Sequence, residues 1–172
     1  MKGLVPRPCE TIFGHRLDDV RRARAWTIEY FALHCRVSLR TMEEWLHCRA
    51  EPLIGYAFKT ALALGYDVED LADPSLATLP KQRREDAPGE WTFEPKGSVN
   101  KTQFGATVRE AIFASGRTIK DFAEVVDVHR NAVGKWCTSA AEPRITTAMR
   151  AAHVLGLSLH GLCEGRAIPR SR

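Results

Sequence analysis

A chain of 172 residues has room for one ordinary domain or two small ones, and a composition 44% hydrophobic and 27% charged excludes an intrinsically disordered polypeptide. No apolar run approaches the roughly 18 residues of a membrane span, and the opening "MKGLVPRPCETI" lacks the apolar centre of a signal peptide, so a cytoplasmic location is expected. A net charge of +4 permits nucleic-acid binding without demanding it, and five unevenly spaced cysteines (Cys9, Cys35, Cys48, Cys137 and Cys163) argue against a disulfide framework.

Shifted by 91 residues, the segment Phe13–Asp73 aligns without gaps on Phe104–Glu164. Identical pairs include Phe13/Phe104, Gly14/Gly105, Phe31/Phe122, Trp45/Trp136, Pro52/Pro143 and Gly65/Gly156. Chance does not hold one register so long, and an internal duplication follows.

Each copy parses into five short helices. Phe13, Leu17 and Val20 give the first helix one apolar face. Thr27 and Thr118 open the second helix as N-caps, and Asp121, three residues after Thr118, completes a capping-box pattern. Ser38 caps a third helix that buries Met42 and Trp45, with Val133 and Trp136 as counterparts. "AEP" precedes a fourth helix with Ile54, Ala57, Phe58, Ala61 and Leu64 on one side, and Gly65 and Gly156 suit the positive φ of a helix end. Asp67 and Ser158 cap a short fifth helix. The expected fold is therefore all-α: an N-terminal five-helix domain over 1–75, a Pro- and charge-rich linker over 76–102 and a C-terminal domain with a basic tail over 103–172. "EWTFEP" is the one stretch with some strand character, and Trp91 and Phe93 are candidates to pack on a domain. A flexible linker of that length spans about 30 Å, close to the roughly 34 Å between neighbouring major grooves. The tail "RAIPRSR" reads as frayed, or as lying along a phosphate backbone.

The combination "TIEYFALHCRVSLRTMEEWL…EP…ALALGYDVEDL" and "TIKDFAEVVDVHRNAVGKWC…EP…AAHVLGLSLHGL" resembles the lambda-repressor-like, Xre-type helix-turn-helix family, in two tandem copies. The resemblance implies that the third helix of each copy lies in a major groove while the second helix and its flanks hold phosphates. By position, it offers Ser38, Leu39, Arg40, Thr41, Glu43 and Glu44 to bases in the first copy. In the second it offers His129, Arg130, Asn131, Ala132, Gly134 and Lys135. Family members often carry Gln directly after the residue that opens the second helix. Here Ile28 and Ile119 stand there, which removes one expected anchor.

The chemistry of the second reading helix is direct. Arg130 has the fork to grip guanine O6 and N7, and Asn131 can pair with adenine N6 and N7. Lys135, Lys120, Arg117 and Arg144 are placed for phosphate, with the N–H groups at Thr118 as a further contact. Gly134 costs about 1 kcal/mol in a helix interior relative to Ala, which close approach to a groove wall would repay. In the first copy Thr27, Ser38, Arg40 and Thr41 remain candidate DNA contacts. Glu43 and Glu44 either accept from cytosine N4 or mark a protein interface, for which Trp26, Tyr30 and Leu39 are suited. Phe13–Asp73 holds eight basic against ten acidic residues, a net −2, whereas Phe104–Glu164 holds seven against six, a net +1.

"HC" at 34–35 and 47–48 invites a zinc reading, but Cys35 aligns with the inward Val126 and Cys48 with Ser139. No cofactor, metal or catalytic constellation is expected, and the chain is not read as an enzyme. The expected function is a sequence-specific transcription regulator of a prokaryote, phage or plasmid, acting as a repressor on double-stranded operator DNA, as one chain or as a homodimer. The alternative is a protein-interaction module (an antitoxin, adaptor or anti-activator) built on the same fold.

Overall fold

A computed structural model describes residues 12–86 and 102–170, and all its regular elements are helices. In chain order they are α1 (Phe13–Ala23), α2 (Ile28–His34), α3 (Leu39–Leu46), α4 (Ile54–Ala63) and α5 (Val68–Ala72). Then follow α6 (Phe104–Ala114), α7 (Ile119–Val126), α8 (Arg130–Cys137), α9 (Ile145–Leu155) and α10 (Leu159–Glu164). Every helix of the second set starts 91 residues after its counterpart, so the offset found in the sequence is also the offset of the elements. No helix among the described residues is long and apolar enough to cross a membrane. The candidate strand "EWTFEP", Trp91, Phe93 and Cys9 lie outside the described residues.

The helix starts follow the expected caps. The Thr27 hydroxyl accepts from the Tyr30 amide at 3.2 Å, Ser38 from Thr41 at 3.1 Å, Thr118 from Asp121 at 3.1 Å and Ser158 from Gly161 at 3.1 Å. Each satisfies one of the amides that a helix start leaves without an intrahelical partner. The turns repeat as well. Left-handed residues fall at Ala25/Gly116, Arg36/Asp127, Cys48/Ser139 and Gly65/Gly156, each pair at the same offset.

In each half the helices close over an apolar core. Phe13, Leu17, Phe31, Met42, Ile54 and Leu71 fill the first, and Phe104, Val108, Phe122, Val133, Ile145 and Leu162 the second. Gly14 and Gly105 explain their identity here. A Cβ on Gly14 would stand 2.0 Å from the Trp45 carbonyl oxygen, and one on Gly105 would stand 1.9 Å from that of Trp136. The first helix of each half crosses the end of the third so closely that no side chain fits between them.

The two halves do not hang on a free tether. Their backbones meet in a reciprocal pair: the Ile54 amide donates to the Pro143 carbonyl at 2.9 Å, and the Ile145 amide to the Pro52 carbonyl at 3.0 Å. These four residues are related by the 91-residue shift, so the seam has an approximate two-fold axis running between Leu53 and Arg144. Glu51 and Glu142 cross the axis in the same manner, Glu51 accepting from the Thr146 hydroxyl and Glu142 from the Gly55 amide at 3.1 Å. Further along, α10 lies against α4 and α5, and α5 against α9. Glu69 accepts from the amides of Leu159 and His160 at the start of α10, while the ring of His160 accepts from the Val68 amide at the start of α5, 3.4 Å away. Positions 69 and 160 are again counterparts, so each half caps a fifth helix of the other.

Two expectations are corrected. The described part of the linker lies along the first half: the Arg83 and Arg84 amides donate to the Gly65 carbonyl at 2.9 and 3.0 Å, and Arg83 pairs with Asp70 at 2.6 Å. The tail is not frayed as far as Arg170. The Ile168 carbonyl accepts from the Ser158 amide at 2.7 Å, and the Arg170 guanidinium binds Asp73 of the first half. Both segments are fastened by arginines to carboxylates that cap or follow α5, a pairing across the chain that local sequence does not show.

Candidate nucleic-acid interface

The α7–α8 corner brings six of the expected residues into one open groove. Arg117, Thr118 and Lys120 come from the start of α7, and Arg130, Asn131 and Lys135 from α8. The groove exists because Phe122, Val126, Val133 and Trp136 are buried on the opposite faces of the two helices, which turns these polar side chains outward together. Phe113, Ile119, Gly134 and Thr138 complete the lining. Four of the lining side chains are cationic and none is acidic. Among the described residues no ion pair engages Arg117, Arg130 or Lys135, and Lys120 reaches Glu124 only at 4.0 Å. The groove thus holds uncompensated positive charge.

Thr118 and Asp121 form a reciprocal cap, the Thr118 hydroxyl donating to the Asp121 carboxylate at 2.7 Å and accepting from the Asp121 amide. Hydrogen bonds from the Thr118 side chain and then its amide hold the Asp121 carboxyl below the usual carboxylate range. Gly134 has nothing within 4 Å of the place a Cβ would occupy, so open space stands before it.

Two expected residues sit elsewhere. His129 is the N-cap of α8, its Nδ1 accepting from the Asn131 amide at 3.2 Å. Arg144 is at the seam, donating to the Glu51 carbonyl at 2.8 Å. Phe113, 62% exposed, was not singled out from the sequence. Its signal was present: Phe104, Val108 and Ile112 define the buried stripe of α6, and Phe113 falls outside it.

The corresponding corner of the first half is differently equipped. Thr27 and Ser38 are spent on the caps of α2 and α3, and the Ser38 hydroxyl lies 2.7 Å from that of Thr41. Arg40 is paired with Glu44 at 3.1 Å, and Glu43 is exposed. Tyr30, Leu33 and Leu39 are exposed apolar side chains, at 50%, 67% and 42%.

Cys35, Cys137 and Cys163 are buried. Burial pushes Cys35 up to about 12, and Cys163 is raised by burial and by the nearby Glu142. Among the described residues there is no group of three or more His, Cys, Asp or Glu side chains that could hold a metal ion.

No curated protein and no solved structure matches the chain. Residues 108–162 match the family model described as Helix-turn-helix, so the C-terminal half carries one helix-turn-helix, of a kind that suggests a DNA-binding regulator.

Proposed function

We propose that the chain is a sequence-specific DNA-binding transcription regulator whose C-terminal half reads double-stranded operator DNA with α8. The observation that carries this reading is the groove at the α7–α8 corner, with four cations and no acid along its lining. Arg130 and Asn131 on the exposed face of α8 read base edges, while Arg117, Lys120, Lys135 and the amides at the start of α7 hold phosphates. The N-terminal half is a second copy of the same five-helix unit, and the seam fixes it against the first. Repression by occupying a promoter is the mode that such a body performs without further parts.

The test is binding of the full chain to duplexes selected from a random pool, followed across salt concentration. The logarithm of the affinity is expected to fall linearly with the logarithm of salt, with a slope of about −0.9 for each phosphate neutralised. Lys120→Ala and Lys135→Ala should each flatten that slope by about one and weaken all sequences alike. Arg130→Ala and Asn131→Ala should instead relax the preferred sequence at single positions, each losing about 1–3 kcal/mol of discrimination. Binding that ignores salt, or substitutions that leave it unchanged, would end this reading.

A further inference from the structure

The corner that corresponds to the DNA groove has changed its chemistry in the first half while keeping its frame. α1–α3 repeat the starts of α6–α8 at the 91-residue offset, with the same left-handed turns and with Thr27 matching Thr118 as a cap, while Ser38 caps α3 where His129 caps α8, so surface positions correspond one to one. Where the second half has Arg117 and Arg130, the first has Trp26 and Leu39. Where it has Lys120 and Lys135, the first has Glu29 and Glu44. Taking all the groove-lining positions, four cations without an acid become Arg22 and Arg40 against Glu29, Glu43 and Glu44. Both remaining cations are engaged within the protein, Arg22 with Asp18 at 2.6 Å and Arg40 with Glu44.

A phosphate backbone laid here would meet Trp26, Glu29 and Glu44 at the places of Arg117, Lys120 and Lys135, with Glu43 beside them. Like charges across a close interface cost binding energy, and burying Trp26 or Leu39 against phosphate gains nothing. The same surface fits a different ligand. Trp26, half-buried with the Arg24 guanidinium 4.8 Å from its ring centre, meets Tyr30 edge to face at 5.0 Å, and Tyr30, Leu33 and Leu39 are exposed apolar side chains of α2 and α3. Exposed apolar surface rimmed by charge marks a protein contact.

We propose that the α2–α3 corner of the first half is a docking surface for a protein segment carrying apolar side chains interleaved with Lys or Arg. The apolar side chains cover Tyr30 and Leu39 beside the half-buried Trp26, and the cations meet Glu29 and Glu43 and compete with Arg40 for Glu44. The molecule is then an adaptor, fastening a basic, apolar segment of a partner to the site on DNA occupied by the other half. Charge complementarity selects this partner over nucleic acid, and over a second copy's first half, which presents the same acids.

The test uses the full-length chain and a phage-displayed library of random twelve-residue peptides, with the second half carrying Arg130→Ala and Lys135→Ala so that its groove is disabled. Selected peptides are expected to combine Leu, Phe or Trp with Lys or Arg. As synthetic peptides, they should bind at least tenfold more weakly to Leu39→Asp and to the double variant Glu29→Lys, Glu44→Lys. All three substitutions are at the surface, and circular dichroism checks the fold. No enrichment, enrichment of acidic peptides, or binding indifferent to these substitutions overturns the proposal. A parallel measurement takes the occupant to be DNA instead. Arg40→Ala with Thr41→Ala in the otherwise native chain is expected to leave duplex affinity within twofold, and a tenfold loss with a shortened footprint also overturns it. Loss of DNA binding through Arg130 and Lys135 alone bears on the second half, so the two readings fail separately.

Discussion

Single residues carry the most legible and the least legible parts of this protein. Gly14 and Gly105 stand out in the sequence as an identical pair, yet nothing local says why. The reason is a backbone approach from a helix some thirty residues further on, seen only when α6 crosses α8. Gly105→Ala should therefore destabilise the fold by about 1–3 kcal/mol, the usual cost of overpacking, read as a lower urea midpoint. Gly134 predicts the opposite. Its Cβ position is open, so Gly134→Ala should stabilise α8 by up to about 1 kcal/mol, while weakening duplex binding if the groove wall approaches there. The Asp121 cap, by contrast, is legible from spacing alone, because Thr118 and Asp121 sit three apart at a helix start. Its carboxyl titrates below its ordinary value in the folded chain, so the cap stabilises fully above that ordinary value and is lost as pH falls through the lowered one. The gap in melting temperature between the native chain and Asp121→Asn should accordingly be present at pH 7 and close in acid.

At the scale of elements, the helices are legible because periodicity and caps agree. Apolar side chains recur at three and four residues, Ser or Thr opens the second and third helices of the first half, and positive-φ residues close the turns. What the sequence hides is how elements of one half depend on the other. Glu69 is a plain acidic residue in a short helix, yet its carboxylate takes up two amides at the start of α10. Its counterpart His160 is buried against Phe58, 5.0 Å between ring centroids, and serves α5. Helices of five and six residues do not persist alone, so α5 and α10 exist through these caps and their packing. Glu69→Ala should leave the two amides unsatisfied and cost about 1–3 kcal/mol. Hydrogen exchange should show the extra opening concentrated in α10, half a chain away from the substitution.

For the whole molecule, the 91-residue offset of the helices is legible in the sequence, but the contacts between the two halves are not. Distance along the chain says nothing about Pro52, Ile54, Pro143 and Ile145, whose reciprocal amides and carbonyls make one body of both halves. Thermal unfolding of the full chain should therefore be a single transition, with calorimetric and van't Hoff enthalpies equal. Substituting Glu51 and Glu142 by alanine removes the two carboxylates that cross the seam and spares the buried Ile54 and Ile145. That double variant should split the transition in two. The candidate DNA groove was legible in its charged members, since Arg117, Lys120, Arg130 and Lys135 are set by helix phase, whereas Arg144 was not, because the seam claims it.

The reciprocity of that seam has a further consequence. Two separate copies of one unit, joined about a two-fold axis, must spell both heads with the same codons, so every change of taste in one is imposed on the other. Here each head has its own text. A mutation at Glu43 or Glu44 leaves Gly134 and Lys135 untouched, and the shared frame tolerates the difference because the seam uses neither face. Within one chain the two corners are free to diverge about a common seam.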